Sequence, residues 1–433
     1  MQTRFSPEQL ADPDTLTSES VVRRCVHCGF CNATCPTYAL LGDELDSPRG
    51  RIVQIKEMLE RDAAPTVETV RHVDRCLSCL ACETTCPSGV SYRRLVDHAR
   101  AYIEARYRRP PGERLTRALL AAVLPYRRRF AIAVRLGRLM RPLAPLVERV
   151  PGLGPAAAEM LRLSAAPTAA VAQPVAVVDR PVRRVALLEG CVEPVVGGQV
   201  QAATRRLLAR MGCEVVAVPG VGCCGALSHH LGREGQALAF MRANVDRWSE
   251  AIDAGVDAIV VTASGCGTML KDYGHLLRSD ERYAERARRV AARVRDISEL
   301  AAELGLPAAT LEDAPAIAYH ATCSLQHGQR IRDVPKHLLE AAGFRVSLPT
   351  EAHLCCGSAG TYNILQPAIA RRLGARKAAA LDAAAPAAIA SGNIGCMAQI
   401  ARFTATPVVH TVELLDWATG GPKPPALDTH GDG

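Results

Sequence analysis

The amino-acid sequence predicts an α+β multidomain fold, in which a small α-helical domain precedes two homologous α/β domains. Three observations predict it. Eight of the 17 cysteines crowd into two runs before residue 90, with helical periodicity between them. From Arg184 onward, short Val- and Ile-rich runs alternate with longer amphipathic segments. That second region also repeats itself. Cys191, Cys223, Cys224 and Gly225 recur 132 residues on as Cys323, Cys355, Cys356 and Gly357, and Cys266 recurs 130 residues on as Cys396. Five positions in one register mark a duplication.

In chain order, residues 1–20 read as a polar lead-in without the apolar stretch of a secretory signal. A cytoplasmic, reducing setting is therefore expected, where clustered cysteines are metal ligands rather than disulfides. The helical domain should span residues 1–110, with helices over Arg49–Arg61 and Tyr92–Arg108, until Pro110 and Pro111 break the chain. Residues 111–183 read as a basic amphipathic helical segment and a linker. Leu115, Leu119, Leu120 and Val123 recur at helical spacing, as do Ile132, Leu136 and Leu139, interrupted by Pro125, Pro142 and Pro145. Residues 151–182 are rich in Ala, Pro and Val and poor in charge, which suits a linker. The net charge of +8 concentrates ahead of it, since Arg93 to Arg149 contain fifteen Arg against Asp97, Glu104, Glu113 and Glu148. No apolar run approaches the ~20 residues of a membrane span.

The two α/β domains are expected over 184–306 and 314–420. Their strands should be Val185–Leu188, Val215–Val218, Ala258–Thr262, Ala316–Tyr319 and Ala387–Ala390. Such alternation implies parallel sheets with crossover helices.

The chemistry starts with the two cysteine runs. Cys25, Cys28, Cys31 and Cys35-Pro36 have the spacing x2, x2, x3, and Cys76, Cys79, Cys82 and Cys86-Pro87 repeat it. This is the bacterial di-cluster ferredoxin pattern. Three thiolates on a tight loop can wrap three corners of a cubane, and the Cys-Pro turn sends the fourth to the other cluster. One [4Fe–4S] cluster is therefore expected on Cys25, Cys28, Cys31 and Cys86, and a second on Cys76, Cys79, Cys82 and Cys35. Structural zinc sites favour separated Cys-x2-Cys pairs instead.

In each repeat a cysteine follows a strand, then comes Cys-Cys-Gly, then a cysteine after another strand. Ligands at strand ends converge at the carboxyl edge of an open sheet. Cys191, Cys223, Cys224 and Cys266, and again Cys323, Cys355, Cys356 and Cys396, could hold a further iron–sulfur cluster or zinc, or form redox-active thiol pairs. These repeats resemble the cysteine-rich domain of the heterodisulfide reductases and their relatives. Some such domains hold a noncubane cluster on a terminal Cys-x2-Cys, but Ala263 and Asn393 stand where its first cysteine would be. Cys213 faces Arg345 in the repeat register and reads as a small buried hydrophobe.

A closer resemblance covers about residues 1–417. The Arg24-to-Cys31 stretch, Leu41-to-Arg51, Cys86-Pro-Ser-Gly89, Ala263-to-Gly267, Leu354-to-Tyr362 and Asn393-to-Cys396 are similar to the iron–sulfur subunit of bacterial glycolate oxidase. The resemblance implies an electron-transfer subunit. Flavin-containing partner subunits would oxidise glycolate to glyoxylate, and electrons would pass to a quinone at the cytoplasmic face of the inner membrane. Related subunits serve lactate, glycerol-3-phosphate and heterodisulfide complexes. The residues agree with that division of labour, because no Gly-x-Gly-x-x-Gly follows a strand and Gly152, Gly154, Gly197 and Gly198 make no nucleotide fingerprint. Flavin is expected on the partners only, and no catalytic residue on this chain.

His27, His229, His230, His320, His327 and His353 lie near cysteines and are read as neighbours, not ligands. Arg49 and Arg51 read equally as donors to cluster sulfides and as surface charge at a helix start. Arg127-Arg128-Arg129 suits an anionic lipid surface or a partner subunit. Nucleic acid is not expected, because no aromatics interleave the charge.

Overall fold

The computed structural model describes residues 1–164, 178 and 180–428. It has an N-terminal ferredoxin-like helical domain and two repeated cysteine-rich domains, each with a parallel sheet.

The first repeat carries β1 (Arg183–Leu187), β2 (Cys213–Val216), β3 (Ala258–Val261) and β4 (Val294–Asp296), in the order β2-β1-β3-β4. The second carries β5 (Ala316–His320), β6 (Arg345–Ser347), β7 (Ala388–Ser391) and β8 (Val408–His410), in the matching order β6-β5-β7-β8. Every pairing is parallel. The chain runs outward from β1 to β2 and then crosses back to β3. A switch point therefore opens at the carboxyl ends of β1 and β3, and likewise of β5 and β7. The five expected strands are present within a residue or two. β4, β6 and β8 are additional, because edge strands of three residues leave no periodicity to read.

The repeats share one core. Val185, Leu187, Leu207 and Val260 pack with Ile317, Tyr319, Leu339 and Val412. Across the same seam Arg206 donates to Asp416 at 2.6 Å, and Arg210 also pairs with Asp416.

In the helical domain, the expected lead-in is itself helical. Asp12 accepts from the Thr15 N–H and Pro13 starts the helix Pro13–Arg24, whose Val21 and Val22 enter a core with Ile55, Leu95 and Val96. Cap and proline make that segment read as loop. The expected helices appear as Pro48–Glu60 and Tyr92–Arg106. The basic segment forms Pro111–Val123 and Arg127–Met140, then the short turns Arg141–Leu143 and Ala144–Val147. A further helix, Gly154–Leu163, occupies the start of the expected linker. Most of the rest of that linker lies outside the described residues.

Candidate metal centres

The two cysteine triplets sit on loops with the same backbone. His27 and Gly29 have φ of 60° and 86°, and their counterparts Ser78 and Leu80 have 51° and 63°. Left-handed backbone costs a non-glycine residue about 1–3 kcal/mol, and it persists where the surroundings impose it. Here it curls each loop so that three thiols line one hollow.

A cavity beside the first triplet is lined by Cys25, Cys28 and Cys31, and by Cys86 from the second run. A second cavity is lined by Cys76, Cys79 and Cys82, and by Cys35 from the first run. Pro48, Cys82 and Tyr92 border both. Among the described residues, no three of these eight thiols lie within 4.8 Å of one another, so none of their groupings is compact enough for a single ion. Walls of soft donors, five thiols around the first hollow and four around the second with Cys82 common to both, fit multi-iron clusters.

The two cavities differ in exposure. Cys28 is exposed, flanked by Val26 and Phe30 at 68% and 62% exposure, and His27 beside them also faces solvent. Cys79 is buried. It packs with Leu77 and Ala81 against Cys355, Tyr362 and Leu373 of the second repeat. Tyr362 donates to the Arg75 carbonyl at 2.9 Å, and Thr84 bonds His327 Nδ1 at 2.7 Å. Burial pushes the Cys31 thiol up to about 11 and pushes Cys79 and Cys82 up as well. Binding iron must therefore expel protons.

Arg51 is 1% exposed, which overturns its reading as surface charge. Its Nη1 lies 4.0 Å from Cys35 Sγ, and its Nε donates to the His72 carbonyl at 2.6 Å. Arg49 is half-buried and donates to Glu44 at 2.5 Å. A Cβ on Gly29 would meet the mobile end of the Arg49 side chain, and the left-handed φ of 86° favours glycine there.

In the repeats the Cys-Cys-Gly turn is left-handed at Gly225 (φ 87°) and Gly357 (φ 85°). A Cβ at Gly357 would lie 2.7 Å from the Ala370 carbonyl oxygen. The turns bring Cys191 and Cys223 Sγ to 3.6 Å, Cys224 and Cys266 to 3.3 Å, and Cys323 and Cys355 to 3.7 Å. Hydrogen bonds from the Cys191 and Cys224 thiols and the Gly225 N–H hold the Cys223 pKa down. All of the repeat cysteines except Cys356 line one cavity of about 830 Å³ between the repeats, roofed by Leu120, Phe130, Val134 and Leu161. Cys213 stays apart in the shared core.

His320, a mere neighbour of the cysteines by sequence, is more closely placed than that. It ends β5, its two ring nitrogens have no hydrogen-bond partner, and it groups within 4.8 Å of Cys356 and Cys396. Burial pushes its pKa down to about 3, leaving the imidazole neutral.

Family comparisons agree with this layout. The model for a 4Fe–4S dicluster domain matches residues 21–90, and that for a cysteine-rich domain matches 185–271 and 317–401. The chain is 41% identical over 418 residues to the glycolate oxidase iron-sulfur subunit of Escherichia coli, covering 96% of this chain and 99% of that one. This chain belongs to the glycolate oxidase iron–sulfur subunit family. A probable member from Bacillus subtilis is 32% identical, covering 92% of this chain and 93% of its own. Lactate utilization protein A of Bacillus licheniformis is 26% identical and matches 54% of this chain and 99% of its own. A hypothetical protein from Helicobacter pylori has a similar fold, with TM-score 0.56 at 9% identity over 96% of this chain and 74% of that one. As a member of the glycolate oxidase iron–sulfur subunit family, the chain is an iron–sulfur electron-transfer subunit. Its helical domain is the dicluster module and its repeats are the cysteine-rich modules.

Proposed function

We propose that this chain is the iron–sulfur subunit of a complex that oxidises glycolate to glyoxylate on flavin-containing partner subunits and passes the electrons to a quinone. The supporting observation is the pair of thiol-lined cavities, one at the surface around Cys28 and one enclosed around Cys79. When bound, two [4Fe–4S] clusters would supply one-electron carriers.

The residues divide the remaining work. Cys25, Cys28, Cys31 and Cys86 are assigned to one cluster, and Cys76, Cys79, Cys82 and Cys35 to the other. Val26 and Phe30 give the exposed site an apolar rim on which a flavin-containing partner can dock and exclude water. Pro48, Cys82 and Tyr92 form a common wall that keeps the two sites adjacent. Arg51 holds a positive charge beside Cys35.

Elsewhere on the surface, nine large apolar side chains are exposed between Leu115 and Val150, among them Leu136, Leu139 and Leu146. Arg128, Arg135, Arg138 and Arg141 are interleaved with them and exposed. Apolar and basic groups on one face suit the anionic surface of the inner membrane on its cytoplasmic side, the source of a lipophilic quinone. No described helix is long and apolar enough to cross a membrane.

Anaerobic co-purification with iron, sulfide and flavin analysis, followed by a substrate screen, tests this reading. The expected result is about eight irons in the helical domain, flavin on the partners, and glycolate-driven quinone reduction that needs this chain. Reduction driven by lactate or glycerol-3-phosphate but not glycolate would reassign the substrate. Cys86→Ser should disturb the spectrum of the same cluster as Cys28→Ser, and Cys35→Ser that of the same cluster as Cys79→Ser. The reverse pairing would refute the crossed assignment.

A further inference from the structure

The two repeats share a topology but not a donor set. In the repeat register Leu188 stands where the second repeat has His320. Leu188 is packed in an apolar core. His320 is 1% exposed with both ring nitrogens unpartnered, and a metal ion would satisfy one of them. One of its ring nitrogens and the Sγ atoms of Cys356 and Cys396 all lie within 4.8 Å of each other.

That compactness discriminates between kinds of metal centre. Bond lengths of about 2.3 Å to sulfur and about 2.0 Å to nitrogen place the ligands of a tetrahedral zinc ion roughly 3.5–3.8 Å apart. A cubane needs its thiolates farther apart, and the eight N-terminal thiols meet that need by having no such compact group. Cys355 lies within hydrogen-bonding reach of Cys356, and its Sγ is 3.7 Å from Cys323. A fourth sulfur is therefore at hand. Lys377, 3% exposed, interacts electrostatically with Cys356, Cys355 and Cys323, which offsets the negative charge of a thiolate-rich site.

We propose that the second repeat binds one zinc ion through His320, Cys356 and Cys396, with a fourth thiolate from Cys355 or Cys323. Zinc has no redox chemistry. The site acts as a clamp that ties the end of β5 to the Cys-Cys-Gly turn and to the helix after β7. The four thiols of the first repeat, without an imidazole, remain the ones free for redox work.

The test uses the full chain purified anaerobically. Metal analysis should find about one zinc per chain beside the iron. His320→Ala should lose the zinc and keep the iron. Because that variant could lose zinc by misfolding, His320→Cys is made in parallel. It should keep the metal and, after exchange with cobalt(II), show stronger thiolate-to-cobalt charge-transfer bands than the parent. Cys28→Ser should lose iron and keep zinc, which separates this site from the clusters. Absence of zinc, iron in its place, or cobalt spectra that match in the parent and His320→Cys would overturn the proposal.

Discussion

Asp46 has no solvent exposure and serves three donors: Arg51 at 3.2 Å, His72 Nδ1 at 2.9 Å and Arg75 at 2.8 Å. Buried charge of this kind is stable only as a complete set, and removing one partner typically costs about 3–5 kcal/mol. The set forms the floor under Cys35. Arg51→Met is therefore expected to keep most of the iron but lower the reduction potential of the enclosed cluster, because a nearby positive charge that favours the reduced state is gone. A redox titration followed by electron paramagnetic resonance reads this out, and an unchanged potential would mean that Arg51 is only structural. His229 and Asp97 form a charged contact, at 3.1 Å, between the first repeat and the helical domain. Burial works against charge on both, yet Asp97 raises the His229 pKa and His229 lowers that of Asp97; Asp272 and Arg100 also face His229. The Asp97 contribution is complete above the ordinary carboxylate pKa and lost as pH falls through the lowered value. The His229 contribution is complete below about pH 6.5 and lost as pH rises through the raised value. Melting of the parent and of His229→Gln should differ most near pH 5–6 and converge at alkaline pH; a constant difference would rule out the ion pair.

At the scale of elements, the helix Arg127–Met140 turns Val134 and Gly137 inward and leaves Ile132, Leu136, Leu139, Arg128, Arg135 and Arg138 outside. Reversing charge at Arg128, Arg135 and Arg138 together should abolish sedimentation with anionic vesicles at low salt while leaving the iron content unchanged. Binding that survives the reversal would assign this face to a protein partner. Helices of this length are legible in sequence because their apolar residues recur over three turns. The edge strands β4, β6 and β8 are not, because three residues cannot establish a period. Pro13–Arg24 escapes for a different reason. Asp12 and Pro13 are turn residues in isolation and become cap and first turn only when Val21 and Val22 have a core to enter.

For the whole molecule, the two cysteine triplets can be read directly, because three thiols on one loop depend only on spacing within a few residues. The duplication can also be read, because its register survives. The place of His320 cannot, because its neighbours Cys356 and Cys396 lie far along the chain and only the folded second repeat brings them together. Nor can the difference in exposure between the two cluster sites, which depends on how the second repeat docks. That docking bears on how the protein is built. Cys28 is open to solvent in the chain by itself, so iron could reach its site until a partner covers it. Cys79 lies beneath Tyr362 and Leu373, behind the Tyr362–Arg75 and Thr84–His327 bonds. A cluster bound there would have to be delivered before the second repeat closes, or the repeat would have to lift to admit it. If the repeat does not lift, assembly would have an order, with the inner site loaded before the outer one.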